Sequence, residues 1–226
     1  MTSHSNLKPL LLHAHAGGPN PYKVAIVLEA LSVPYTAKIW EFGPDPVKGV
    51  KGAAFLKLNE NGRVPALEDP NTGVTSWESG ACINYLLRVY DKENQLGPRG
   101  STEQAHVDYD KWTFFLVSGL GPMQGQTNWF KNYNAVKNED ALKRYSEQNE
   151  RSYGVLEGQL KKTEGKSILE GGFSAVDAHY YPWVAGIAFG GLSLDNYPNV
   201  KKWIETTAEL DVVKNAYAKV NGSPSA

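Results

Sequence analysis

The first residues that suggest chemistry lie at positions 17–22, where glycines and prolines surround Asn20. An apolar run at 10–14 precedes them and apolar residues at helical spacing follow, which predicts a strand, a loop and a helix. The start of a helix carries partial positive charge, so it would lower the pKa of a ligand thiol, and the Asn20 amide could donate to the sulfur. A simpler interpretation stays open, in which Asn20 is the N-cap and Pro21 begins the helix.

A second candidate is the segment 61–67, which reads Asn-Gly-Arg-Val-Pro-Ala-Leu. If the bond between Val64 and Pro65 is cis, the backbone amide and carbonyl of Val64 could point outward and pair with an extended ligand. The alternative is a trans proline at the start of an edge strand, which is the commoner arrangement.

A third candidate is Glu78 followed by Ser79, at a predicted junction between a strand and a helix. Glu78 could accept a ligand's ammonium group, while Ser79 and the first helical amides could hold a carboxylate. Such a pair suits an α-amino acid. A structural alternative also stays open here, in which Ser79 is the N-cap and Glu78 complements the helix dipole.

The remaining polar residues predict no metal site, since the histidines do not form a ligand pattern and Cys82 is the single cysteine. Cys82 lies within an apolar helical pattern, which favours a small buried side chain over a nucleophile.

The elements that would position these candidates change character along the chain. The first ninety residues predict the order βαβ, a short helix, then ββα. A polar stretch with helix breakers at 91–101 predicts a linker. The predicted fold class is therefore α/β plus all-α, with an α/β domain at 1–90 and an all-helical domain at 102–226.

Long helices are predicted in the second domain at 102–117 and 140–162, separated by a segment rich in Gly, Gln and Asn. Two more helices follow. The first opens with a capping box from Ser174 to Asp177, and the last opens at Pro198.

The composition argues against nucleic-acid and membrane partners. The 226 residues carry a formal net charge of -1, which offers no basic field for nucleic acid. No apolar run approaches the roughly 18 residues of a membrane span, and Met1 to Asn6 lacks the pattern of a signal peptide. We therefore expect a cytoplasmic protein with neither nucleic-acid nor membrane partners.

The three candidate motifs occur in an order and at spacings that resemble the glutathione transferase superfamily. The resemblance is closest to the fungal class named after the yeast nitrogen-catabolite regulator. It is carried by residues 19–28, 61–67 and 77–81, continues through 112–123 and Gln126, and reaches the capping box at 174–177.

The resemblance implies a thioredoxin-like βαβαββα domain that binds glutathione, an all-helical domain that forms the electrophile pocket, and a homodimer. Residues 112–130 would line that pocket, although their aromatic side chains could instead be core. The implied contacts are Asn20 beside the sulfur as the catalytic residue, Val64 on the cysteinyl backbone, Glu78 and Ser79 on the γ-glutamyl group, and Lys51 and Arg63 on the glycyl side.

Some residues depart from the family pattern. No Tyr, Ser or Cys stands at the position of Asn20, and Tyr22 is the nearest hydroxyl. Pro21 replaces the glycine of the yeast regulator and so removes one amide. The regulator's Asn-rich extension has no counterpart here, which favours an enzyme. We expect a glutathione transferase, with two alternatives: a non-catalytic glutathione-binding regulatory module, or a glutathione-dependent peroxidase or deglutathionylase using the same site.

Overall fold

The computed structural model describes residues 6–222, which form two compact units. Unit 1 contains the described residues up to Leu96 and those from Glu209 onward. Unit 2 contains Gly97–Ala208.

Unit 1 is built on a four-stranded mixed sheet with the strand order β2-β1-β3-β4. The strands are β1 (Leu10–Ala14), β2 (Tyr35–Ile39), β3 (Ala66–Asp69) and β4 (Val74–Trp77). The helices among them are α1 (Pro19–Ala30), α2 (Ala53–Leu56) and α3 (Ser79–Tyr90). Strand β1 pairs parallel with β2 and antiparallel with β3, and β3 pairs antiparallel with β4. The predicted thioredoxin-like βαβαββα order is confirmed.

The central strand β1 is buried on both faces, which explains its apolar sequence. Its one buried polar side chain, His13, is fully bonded. Trp40 Nε1 donates to His13 Nδ1 at 2.9 Å, and His13 Nε2 donates to Glu68 Oε1 at 2.8 Å. Burial lowers the pKa of His13, which favours the neutral ring that this pattern requires.

A small hydrophobic core supports the loops beyond the sheet. Trp40, Val50, Phe55 and Ala66 are buried together, and Val64 packs against them. The Trp40 and Phe55 rings meet edge to face with centroids 4.9 Å apart. The positions of Val50 and Val64 are therefore fixed by buried aromatic packing.

The predicted last helix, from Pro198 onward, is two helices in the structure: α8 (Pro198–Ala208) and α9 (Asp211–Val220), with Leu210 extended between them. Helix α9 groups with unit 1, although its residues lie in the range predicted for the helical domain. It packs on α1, where the rings of Tyr22 and Tyr217 stack with centroids 4.1 Å apart. Because the helix is interrupted at Leu210, α8 belongs to unit 2 and α9 to unit 1.

Unit 2 is helical, which confirms the predicted class of the second domain. Its α-helices are α4 (Glu103–Phe115), α5 (Gly121–Asn132), α6 (Glu139–Lys162), α7 (Ala175–Ala185) and α8. A π-helical segment, Leu116–Leu120, joins α4 to α5, and the Gly121 amide donates to the Leu116 carbonyl five residues back. No helix within residues 6–222 combines the length and hydropathy needed to cross a membrane.

The segment rich in Gly, Gln and Asn was predicted to separate two helices, and most of it is helix α5 instead. Polar residues of α5 form hydrogen bonds inside unit 2. Gln124 is buried, its Nε2 donates to the Trp183 carbonyl at 2.7 Å, and its Oε1 accepts from Tyr153 at 2.8 Å. Tertiary hydrogen bonds thus override a composition that is typical of a loop.

The predicted capping box at the start of α7 is confirmed. The Asp177 carboxylate accepts from the Ser174 amide at 2.9 Å, and also from the Ile168 amide and Trp203 Nε1 at 2.8 and 2.9 Å. The motif therefore ties the helix start to two other parts of unit 2.

Candidate functional site

A cavity of about 380 Å³ lies at the start of α1 in unit 1. Its volume falls within the range of small-ligand sites. Four predicted site residues line it: Asn20, Lys51, Arg63 and Val64. The other lining residues are Gly18, Pro19, Pro21, Phe42, Gly43, Val50 and Gly62.

Asn20 is the second residue of α1, because the helix begins at Pro19 and its N-cap is Gly18. The interpretation of Asn20 as the N-cap is therefore wrong. Pro19 and Pro21 have no amide hydrogen, so Asn20 supplies the one backbone N–H among the first three helical residues. Its side chain, half-buried in the cavity wall, adds a second amide donor at the positive end of the helix.

Lys51 is positioned by a compact loop between β2 and α2. Its backbone amide donates to the Gly43 carbonyl at 2.9 Å, and its Nζ donates to the Asn61 carbonyl at 2.8 Å. Gly52 allows this turn, since a Cβ added there would lie 1.9 Å from the Asp45 carbonyl oxygen. The Lys51 ammonium is exposed beside the cavity.

Val64 and Arg63 are held by a buried asparagine. Asn59 Nδ2 donates to the Arg63 carbonyl at 2.6 Å, and Asn59 Oδ1 accepts from the Asn61 amide at 2.9 Å. The peptide bond between Val64 and Pro65 is cis. The alternative of a trans proline at this position is wrong.

Glu78 and Ser79 do not line this cavity, but the sheet register places them beside its Val64 edge. Ala66 pairs with Trp77 in the antiparallel β3–β4 hairpin, so the residues before Ala66 run alongside those after Trp77. Val64 and the pair Glu78–Ser79 therefore lie at the same end of the hairpin.

The start of α3 has an unusual backbone. Glu78 occupies the N-cap position with φ 67° and ψ 118°, a left-handed φ that costs a non-glycine residue roughly 1–3 kcal/mol. Ser79 is the first helical residue and is buried, so the interpretation of Ser79 as the N-cap is wrong. Backbone strain at a solvent-exposed carboxylate is typical of functional sites.

A buried lysine lies behind these groups. Lys23, one turn after Asn20 on α1, is only 2% exposed. Burial lowers its pKa to about 7, although the Glu78 carboxylate acts in the opposite direction. Lys23 is not among the residues predicted from the sequence to form the site. The signal was present in the sequence as one cation inside the apolar run that follows Tyr22.

Two other candidates take structural roles. Cys82 is fully buried, and burial raises the pKa of its thiol to about 11, which confirms a small buried side chain without thiolate character. The Tyr22 hydroxyl donates to the Ala16 carbonyl at 2.9 Å and lies 2.6 Å from Oδ1 of Asn221. Burial also raises the pKa of Tyr22.

The aromatic residues of the segment 112–130 divide between core and surface. Trp112 is buried and packs edge to face on Phe115 and Tyr180, so its interpretation as core is confirmed. Phe114 and Trp129 are exposed. Within residues 6–222, no group of three His, Cys, Asp or Glu side chains could hold a metal ion.

Sequence comparison identifies the family. A sequence model described as Glutathione S-transferase, N-terminal domain, matches residues 17–89, and one described as Glutathione S-transferase, C-terminal domain, matches residues 112–211. The Glutathione S-transferase-like protein gedE of Aspergillus terreus is 36% identical over 221 residues, which cover 92% of this chain and 95% of that protein. The chain belongs to the glutathione S-transferase family.

Solved structures give the same assignment. The glutathione transferase URE2P6 from Phanerochaete chrysosporium, crystallised with oxidized glutathione, is 34% identical with a TM-score of 0.85, covering 95% of this chain and 97% of that chain. Ure2p in complex with glutathione is 27% identical with a TM-score of 0.84, covering 95% of each chain. The resemblance to the fungal class that includes Ure2p is confirmed.

Proposed function

We propose that this protein is a glutathione transferase that binds glutathione at the start of α1 and activates its thiol for attack on a small electrophile. The observation that carries the proposal is the cavity in which Asn20 and Val64 meet two cationic side chains. Membership of the family, and the glutathione bound in the related Ure2p structure, support the same ligand.

The charges around the site suit the two ends of glutathione. Lys51 and Arg63 supply positive charge on one side, where the glycyl carboxylate would bind. Glu78 supplies a carboxylate for the γ-glutamyl ammonium, and the Ser79 hydroxyl and the first amides of α3 suit its carboxylate. The backbone of Val64, between these two ends, would pair with the cysteinyl residue.

The thiol would then lie near Asn20, at the positive end of α1. The helix dipole and the Asn20 amides favour the thiolate over the thiol, so the pKa of the bound thiol falls. The thiolate sulfur forms a bond to the electrophilic carbon of the second substrate. That carbon either loses a leaving group with its bonding electrons or, in an addition, passes a π-electron pair to a neighbouring atom that takes a proton from water. Tyr22 takes no part in this step, because its hydroxyl is bonded within unit 1.

The test is an ultraviolet titration of the glutathione thiolate on the purified protein from about pH 5 to about pH 9, with free thiol near 8.5 as the reference. We expect a lowered pKa in the wild type. Asn20→Ala should raise the pKa of the bound thiol by about 1 to 2 pH units. This shift corresponds to the free energy of one hydrogen bond to a charged group. Tyr22→Phe is the matched control and should keep the wild-type value.

The other outcomes separate the alternatives. Saturable binding with an unshifted thiol pKa would favour a non-catalytic binding module. A lowered pKa without conjugation would direct the search to peroxide reduction or deglutathionylation at the same site. Absence of binding would refute the proposed site altogether.

We also propose that the protein is a cytoplasmic homodimer. The proposal is supported by the family resemblance and by the single, buried cysteine, which suits a reducing compartment. A monomer in sedimentation equilibrium would contradict the dimer.

A further inference from the structure

Phe42 is a large apolar side chain that the fold leaves in solvent. It lies just after β2, is 63% exposed, and lines the cavity that also contains Asn20. Scattered exposed apolar residues are ordinary, but an exposed aromatic ring on the wall of a ligand cavity is a candidate contact.

The ring of Phe42 is held in place by His15. The two rings stack with centroids 3.7 Å apart and planes inclined by 29°. His15 is fixed in turn, because the Gly17 amide donates to its Nδ1 at 2.8 Å. A Cβ at Gly17 would lie 2.9 Å from His15 Cε1, so the absence of a side chain there makes room for this arrangement.

His15 supports Phe42 as a neutral ring. Burial lowers the pKa of His15, and an unprotonated Nδ1 is needed to accept the Gly17 hydrogen bond. Two stacked neutral rings therefore form an apolar surface, of which Phe42 lines the cavity and His15 does not.

We propose that Phe42, backed by His15, forms the subsite for a planar aromatic group on the electrophilic substrate. The inference rests on the proposed function, since the aromatic group would be joined to the sulfur of glutathione bound near Asn20. Phe42 lies in unit 1, outside the segment 112–130 that was predicted to line the electrophile pocket. An aromatic group stacks on an exposed ring more favourably than an alkyl group does.

Binding of ready-made conjugates tests the subsite without any catalysis. Calorimetry would compare the dissociation constants of S-benzylglutathione and S-methylglutathione. Phe42→Ala should weaken S-benzylglutathione about tenfold and change S-methylglutathione less than about twofold, because an aromatic pair adds a specific contact beyond buried area. His15→Ala should give a smaller loss, about threefold, since Phe42 then has to be ordered on binding.

The matched control is Val47→Ala. Val47 lies in the same loop and is 69% exposed, but does not line the cavity. Its substitution should leave both dissociation constants unchanged. If Phe42→Ala weakens both conjugates equally, Phe42 contacts the tripeptide, and the subsite is refuted. Unchanged binding of both conjugates would also refute it.

Conjugation gives a second, independent readout. The glutathione thiolate adds to the central carbon of an isothiocyanate, forming one C–S bond while the nitrogen takes a proton from water, and no group leaves. Phe42→Ala should lower kcat/KM about tenfold for benzyl isothiocyanate and less than about twofold for allyl isothiocyanate.

The two readouts separate failure of the subsite from failure of the proposed function. In one outcome, the wild type shows no measurable conjugation while Phe42→Ala still loses the preference for S-benzylglutathione. That result would support the subsite and contradict the transferase. Active conjugation with the same benzyl-to-allyl ratio in wild type and variant would retain the transferase and overturn the subsite.

Discussion

Replacing Lys23 with methionine should stabilise the protein in a pH-dependent way. Lys23 is 2% exposed, and its pKa is lowered from the ordinary 10.5 to about 7 by burial. Each pH unit corresponds to about 1.4 kcal/mol, so the buried charge costs roughly 5 kcal/mol below pH 7. Methionine has a similar length and carries no charge, and the Glu78 carboxylate, whose charge opposes the lowering of the Lys23 pKa, is exposed to water.

The direction of this pH dependence follows from how many protons the folded and unfolded states bind. Between about pH 7 and 10.5 the unfolded lysine is protonated and the folded lysine is not, so stability rises with pH across this window. Below about pH 7 the full penalty is present. Lys23→Met removes the penalty, so its advantage is largest at low pH and vanishes near the upper end of the window.

The assay is urea unfolding followed by tryptophan fluorescence at about pH 6 and about pH 10. We expect Lys23→Met to raise the free energy of unfolding by about 3–5 kcal/mol at the lower pH and by less than about 1 kcal/mol at the higher pH. Lys57→Met, at an exposed lysine, is the matched control and should stay within about 0.5 kcal/mol at both.

Two results would refute the reasoning. A Lys23→Met protein that is less stable than wild type at about pH 6 would mean that the buried ammonium is stabilised by its surroundings. A difference of equal size at both pH values would mean that the substitution acts through packing and that the lysine does not titrate in this window.

Two further substitutions probe other parts of unit 1. Asp69 is buried, and burial raises its pKa, but hydrogen bonds at 2.5 Å from Tyr85 and Tyr90 lower it more, leaving the net value below normal. Asp69→Asn should therefore cost about 2–4 kcal/mol at neutral pH in urea unfolding. The loss of unfolding free energy should shrink as the pH falls below about 4, because Asp69 of the wild type then becomes protonated. A loss that does not change with pH would contradict this prediction. Gly52→Ala would place Cβ 1.9 Å from the Asp45 carbonyl oxygen, so the loop carrying Lys51 must shift, and calorimetry should show glutathione binding weakened about tenfold or more. Gly158→Ala, where the added Cβ meets nothing within 4 Å, is its control, and equal affinities for the two variants would argue against the loop's role.

The sequence predicted the order of elements in unit 1 because strands and helices there alternate with clear periodicity and turn signals. It also singled out four of the residues that line the cavity. Asn20, Arg63 and Val64 lie in motifs at a helix start and an X-Pro strand start, whereas Lys51 was predicted from the family resemblance alone. Helix α5 was missed because its polar residues are satisfied by partners far away in the chain, such as the Trp183 carbonyl.

Other features depend on tertiary neighbours and leave little local signal. The cis bond before Pro65 has no distinct sequence signature. The position of Asn20 inside the helix was obscured by two nearby prolines that both suit a first turn. The proposed role of Phe42 depends on stacking on His15, which lies 27 positions earlier in a different loop.

The packing of α9 on α1 makes unit 1 discontinuous in the chain. Tyr217 stacks on Tyr22, and Lys219 pairs with Glu29 at 2.8 Å, so residues that follow unit 2 in the sequence pack against α1. During translation, the thioredoxin-like segment must wait for all of unit 2 to be made before its last helix can dock. Loss of α9 would therefore expose the apolar face of α1, even though every residue that lines the cavity is still present.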